Sequence, residues 1–139
     1  MGEFDLIARY FQRPARRASL GIGDDCAIMR VPSDMELAIS TDLLVEGRHF
    51  LNTVNPEHLG HKSLAVNLSD LAACGAMPWG FTLSLALPRV DERWLEGFSQ
   101  GLFALADEHQ IELVGGDTTQ GPLTIGITIW GLVPPGQAL

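Results

Sequence analysis

The sequence predicts an α+β (mixed α/β) fold in which a mixed or antiparallel sheet carries two long helices on one face. Residues 56–74 and about 91–110 repeat apolar side chains at helical spacing between capping and breaking residues. WGFTLSLALP and PLTIGITIWGLVP alternate apolar with small or polar residues, the period of a strand. The length of 139 residues, 46% hydrophobic and 19% charged, suits one domain around one core.

In chain order, GEFDLIARYF sets Phe4, Ile7, Ala8 and Phe11 at helical spacing, so a short amphipathic helix opens the chain. RPARRAS, residues 13–19, holds Pro14 and predicts a mobile loop with Arg13, Arg16 and Arg17 solvated. LGIGDD is a glycine turn. CAIMRV and ELAIST, separated by the turn PSD, predict the two strands of a β-hairpin. In the helix from Pro56 to Cys74, Leu64, Leu68, Leu71 and Ala72 form an apolar stripe. Ser63, Asn67, Asp70 and Cys74 form a second, mostly polar one. Gly75 ends this helix and Pro78 blocks its continuation. WGFTLSLALP follows as a strand with Phe81, Leu83, Leu85 and Leu87 on one face. Asp91 caps the second long helix, and IELVGG and PLTIGITIWGLVP are the last strands. VPPGQAL is turn-rich like a linker, and predicts further protein beyond it.

Nine basic against 17 acidic residues give a formal net charge of -8, which argues against a general nucleic-acid binder. No run approaches the roughly 20 apolar residues of a membrane span. The N-terminus lacks the basic flank and apolar run of a signal peptide. Cys26 and Cys74 stand apart without a CxxC partner and predict free thiols, hence a cytoplasmic protein.

Familiar phosphate motifs fail. Gly116 and Gly121 have Walker-like spacing, but Pro122 and Leu123 stand where Lys and Ser/Thr are required. GIGDDC puts Cys26 where a dinucleotide fingerprint needs its third glycine. His58 and His61 have no further ligand pair nearby and predict helix surface rather than zinc.

The aspartates stand out. Asp24 and Asp25 follow the glycine turn, Asp42 ends ISTD, Asp70 lies in NLSD and Asp117 ends the strand in GGDTT. They neighbour glycines and short polar residues at the ends of apolar strands, where loop-borne sites form. Carboxylates and hydroxyls without thiolate are hard oxygen ligands suited to Mg²⁺, and chemistry on Mg²⁺ most often means phosphate transfer. On the residues alone two readings stay open, a cation site and scattered surface acids.

LGIGDDCA, ISTDLLVEGRHF, KSLAVNLSDLAACGAMPWGFTLSLALP and LVGGDTTQGPLTIGITIWG resemble, in order and spacing, the thiamine-monophosphate kinase family. The resemblance runs from GEFDLIARYF to VPPGQAL. Aminoimidazole ribonucleotide synthetase, selenophosphate synthetase and a hydrogenase maturation protein belong to the wider superfamily. VEGRHF and the GEFDLIARYF start favour the thiamine kinase, and no cysteine precedes Cys26 as selenophosphate synthetase would require.

The resemblance implies Mg²⁺-dependent transfer of a phosphoryl group from ATP to thiamine monophosphate. It implies that Asp25, Ser40, Thr41, Asp42, Asp70 and Asp117 bind several Mg²⁺ ions, that Gly116 and Asp117 form a nucleotide-contacting turn, and that His49 touches substrate. Without the resemblance, His49 reads as a loop histidine with no task. Strand alternation would split Ser40 and Asp42 from Thr41, so a bend or bulge is expected there. The family has a C-terminal domain, so residues 1–139 are expected to be the N-terminal ATP- and metal-binding domain alone. The family also implies a homodimer pairing through sheet edges. PLTIGITIWGLV would be a hazardous strand if left unpaired, which agrees. A non-catalytic dimerisation or nucleotide-binding module, or another ATP-using superfamily member, is the alternative.

Overall fold

The computed structural model describes residues 2–13, 18–20 and 26–139. After a short α1 (Glu3–Leu6) that continues as a wider π-helical turn (Ile7–Phe11), the order is β1 (Ala18–Leu20), β2 (Ile28–Met29), β3 (Glu36–Val45) and α2 (Pro56–Ala73). Then follow β4 (Met77–Leu87), α3 (Glu92–Glu108), β5 (Glu112–Gln120) and β6 (Thr124–Val133). The main sheet is mixed, in the order β3-β6-β4-β5. Only β4 and β5 run parallel, joined through α3. No helix of the described residues is long and apolar enough to cross a membrane.

The two long helices form where expected. Asn55 caps α2 by accepting from the backbone N–H groups of Glu57 and His58, and Gly75 follows its end with φ +73°. Asp91 caps α3 by accepting from Trp94 N–H at 3.1 Å. Leu64, Leu68 and Leu71 of α2, Leu95, Phe98, Leu102 and Leu105 of α3, and Phe81, Leu83, Leu85, Ile125, Ile127 and Ile129 of the sheet share one core. Ala72, expected on the apolar stripe, is exposed. The second stripe is buried at Ser63 and Asn67 and reaches solvent at Asp70. Ser63 Oγ donates to the Leu59 carbonyl and Asn67 Nδ2 to the Ser63 carbonyl, which lets these polar side chains lie inside. Asn67 Oδ1 has no hydrogen-bond partner among the described residues.

Where the helices meet, glycine is required by space. A Cβ on Gly60 would overlap the Phe98 carbonyl, and one on Gly101 the Glu57 carbonyl. The backbones themselves are in contact, so α2 cannot shift along α3 without opening the interface.

Several expectations are corrected. The predicted hairpin does not exist: β2 pairs with β1, while β3 pairs with β6 over its whole length. Turn chemistry alone suggested local pairing, and the non-local apolar strand β6 won. Arg13 is not a free loop residue; it bonds Asp107 and lies over the Phe103 ring at 4.4 Å. Arg16 lies outside the described residues, as does Arg17. In the opening helix Leu6 and Phe11 are buried and Ala8 is exposed, because the wider turn shifts the expected face. β6 is no unpaired strand but an interior one, flanked by β3 and β4. The edges are β3 and β5, so the argument for pairing through PLTIGITIWGLV lapses.

Gly101→Ala tests the helix contact. Alanine favours a helix by about 1 kcal/mol over glycine. Its methyl would meet backbone that cannot turn away, so we expect a net loss of about 2 kcal/mol in urea unfolding of the chain. Unchanged or higher stability would show that the helices part freely.

Candidate functional site

β3 runs against β6 without interruption, from Glu36 opposite Val133 to Val45 opposite Thr124. No bend or bulge occurs at Ser40–Asp42, contrary to expectation. The pleat therefore divides the three residues between faces. Ala38, Ser40, Asp42 and Leu44 are wholly or partly buried on the side of α2, whereas Leu37, Ile39, Thr41 and Leu43 are exposed on the other. Thr41 Oγ1 lies 3.1 Å from Thr128 Oγ1 and 3.1 Å from the Ile127 carbonyl, fixed to the open face.

On the helix side a small oxygen cluster forms. Ser40 Oγ donates to Asp70 Oδ2 at 3.4 Å, and the Asp42 carboxyl is hydrogen-bonded to Asp70. Burial, then the bond to Asp70 and its negative charge, raise the Asp42 carboxyl above its ordinary 3.8, while His49 pulls it back. Two acids and a hydroxyl thus face one another across the edge of β3 and the C-terminal half of α2. Asp42 lies inside β3, which runs to Val45, rather than ending it.

His49 stands in a tight turn after β3. Gly47 adopts φ +86° and donates to the Phe50 carbonyl, and Phe50 anchors the turn in the core. His49 Nδ1 accepts from Val45 N–H at 2.9 Å, and Lys62 Nζ of α2 donates to the His49 carbonyl at 3.2 Å.

Gly116 and Asp117 lie elsewhere. They belong to β5, at the opposite edge, in a strand that continues to Gln120 rather than turning at GG. Leu113 is in register with Phe81 and Gly115 with Thr82, so Val114 is an extra residue that reverses the pleat. Asp117 then lies in register with Ser84, which shares the open face with Leu43 around Gly126. Gly116 has φ +147°, and a Cβ there would overlap the Leu83 carbonyl; close strand approach accounts for this glycine. Asp25, with Asp24, lies outside the described residues. The structure thus gathers Ser40, Asp42 and Asp70, places His49 beside them, and sets Thr41, Gly116 and Asp117 apart. Sequence reading missed Lys62, although its place two helical turns before Asp70 on the same edge of α2 could have drawn notice.

No group of three or more His, Cys, Asp or Glu gathers as a metal site among the described residues. Asp42, Asp70 and Ser40 supply oxygen donors only; burial does most to raise Asp42, and the negative charge of Asp70, which adds to it, is what a hard cation relieves. The donor set fits Mg²⁺.

Residues 23–133 match the family described as AIR synthase related protein, N-terminal domain, and the chain belongs to that family. Within it the similarity is to thiamine-monophosphate kinases. The chain is 56% identical over 142 residues to that of Salmonella typhimurium, covering 99% of this chain and 43% of the relative. It thus spans less than half the length of the curated relative it matches. The crystal structure of thiamine-monophosphate kinase from Stenotrophomonas maltophilia is 47% identical, with TM-score 0.84, over 97% of this chain and 42% of that one. The structure of AaThiL complexed with AMPPCP and TMP is 31% identical, with TM-score 0.71, over 76% of this chain and 35% of the other.

The shifted acid sets a pH dependence. Asp42 keeps its proton to higher pH in the folded chain than in the unfolded one, so its contribution is favourable at low pH. It is lost as pH rises through the folded value. In metal-free buffer at neutral pH, Asp42→Asn is therefore expected to raise Tm by about 1–3 °C, with the gain vanishing near pH 3. A fall in Tm at neutral pH would make Asp42 a structural carboxylate.

Proposed function

We propose that this chain is the N-terminal, acid-bearing part of a thiamine-monophosphate kinase, which transfers the γ-phosphoryl group of ATP to thiamine monophosphate. The observation that carries the reading is the Ser40–Asp42–Asp70 cluster, in a chain 56% identical over nearly its whole length to part of such a kinase. The solved relative named with AMPPCP and TMP agrees with ATP and thiamine monophosphate as the two substrates. The free exposed thiols Cys26 and Cys74 are in keeping with a cytoplasmic setting.

The acceptor is a phosphate oxygen, largely ionised at neutral pH, so the reaction needs no strong general base. An acceptor oxygen bonds to the γ-phosphorus as the bond to the bridging oxygen of ADP breaks. Two anions must meet, and the barrier is chiefly electrostatic. Asp42, Asp70 and Ser40 would hold Mg²⁺, which neutralises phosphate charge when bound. The sheet fixes Asp42 and the helix fixes Asp70, so the donors need little rearrangement. His49, with Nδ1 committed to the backbone, offers Nε2–H to a substrate oxygen. In this reading Asp117 and Gly116 serve the nucleotide from the other edge, and Asp25 completes the metal set from the glycine turn.

We further infer a homodimer in which the open sheet face meets a second copy. Ile39 (66% exposed), Leu43 (59%) and Met77 (55%) lie on or beside this face. The edge strand β3 is ten residues long and, among the described residues, paired on one side only.

In the full-length protein, Asp42→Asn is expected to lower kcat by about a hundredfold or more, with the fold intact by circular dichroism. Unchanged turnover would remove Asp42 from the metal set. His49→Ala is expected to raise KM for thiamine monophosphate by about fivefold to tenfold while KM for ATP holds, the effect of one hydrogen bond to a charged oxygen. Equal damage to both would place His49 elsewhere. Sedimentation at micromolar concentration should show a dimer without nucleotide, which Ile39→Lys converts to monomer; a monomeric parent chain would remove the interface.

A further inference from the structure

Among the described residues, all polar atoms of His49 but one have a partner. Its N–H donates to the Val45 carbonyl at 2.9 Å, its carbonyl accepts from Lys62 Nζ at 3.2 Å, and its ring Nδ1 accepts from Val45 N–H at 2.9 Å. With Nδ1 an acceptor, the proton of the neutral ring is on Nε2. Two of these three bonds tie His49 to Val45, the last residue of β3, and hold only while the turn keeps its place against that strand. The bond from Lys62 is different, because it comes from α2. That helix also carries Asp70, eight residues and about 12 Å further along its axis. The turn and the acidic cluster are thus tied to one rigid element, itself locked to α3 by the close backbone approaches at Gly60 and Gly101.

We propose that Lys62 is a positioning residue: its ammonium, bonded to the His49 carbonyl, holds the β3–α2 turn so that Nε2–H of His49 stands at a fixed offset from the Asp42–Asp70 pair, aimed at an anionic oxygen of the phosphate acceptor. The inference rests on the reading of His49 as a substrate contact, yet its structural half stands apart from any substrate. Lys62 is exposed and does not belong to the apolar core. Replacing it should therefore loosen the turn without unfolding α2. Arginine can donate to the same carbonyl, whereas methionine keeps the stem and loses the donor.

The test reads the ring directly. The chain is labelled with ¹⁵N-histidine and examined by long-range ¹H–¹⁵N correlation at about pH 8, above the ordinary imidazole value of about 6.5. His49 is assigned against His49→Ala. The unsubstituted chain should show the Nε2-protonated tautomer. Lys62→Met should raise the Nδ1-protonated share by about threefold or more, the change expected from losing a hydrogen bond of ordinary net strength, and Lys62→Arg should restore it. In the full-length protein, Lys62→Met should raise KM for thiamine monophosphate by about fivefold with kcat and KM for ATP held, again rescued by Lys62→Arg. A ring unchanged by Lys62→Met overturns the proposal, whatever the substrate. A loosened ring with unchanged KM, in a protein where His49→Ala does raise KM, overturns it too. A loosened ring in a protein indifferent to His49→Ala supports the positioning role and overturns only the assignment of His49 to substrate.

Discussion

The position of α2 over the sheet is the constraint on which the rest depends. Gly60 and Gly101 allow the α2 and α3 backbones to touch, and Leu64, Leu68 and Leu71 seat α2 on the inner face of the sheet. Because the contact is backbone to backbone, no side-chain rotation can absorb a shift. Asp70 is therefore delivered to a fixed place opposite β3, and Lys62, on the same edge, to a fixed place beside the turn that follows it. Two helices joined by interdigitating leucines alone would have had more freedom, and the acidic pair correspondingly less definition.

Against this fixed helix stands a strand whose register admits no slack. Ten consecutive pairs join β3 to β6, and the pleat sends Ser40 and Asp42 toward α2 while Thr41 is held by Thr128 on the other side. The sheet thus has two chemically different faces. The helix side is an apolar core with one acidic opening at its edge. The open side is small, hydroxylated and apolar, with Ile39 and Leu43 toward one edge and Asp117 at the other. Charge repulsion between Asp42 and Asp70 would be a defect in a purely structural site, where a hydrophobic pair would pack better. It is an asset where a cation is to be bound.

The long helices, their caps and the apolar face of β4 were legible because each is specified locally, by period and by capping chemistry. Asp91 and Gly75 do what their residue types predict. Strand pairing was not legible, since nothing in CAIMRV or ELAIST states that β3 will find β6 some 90 residues along the chain. The acids were found by type and spacing, but the backbone around them was misjudged twice. Ser40–Asp42 was expected to bend so that Thr41 could join, and the register denies it. Asp117 was expected at a converging strand end, and the extra residue Val114 instead reverses the pleat before it. A one-residue bulge leaves no mark in composition or period, yet decides which face an acid serves.

The claim that most needs testing is that the oxygen cluster under α2, and not the hydroxyl on the open face, is where this chain holds a divalent cation. Titration calorimetry with Mg²⁺ on the chain and three variants addresses it. Saturable binding should be weakened by about tenfold or more in both Asp42→Asn and Asp70→Asn, and left within twofold in Thr41→Val. Equal binding by all four proteins, or a loss in Thr41→Val as large as in the two acid variants, would contradict the division of the sheet into a cation-binding side and an open one.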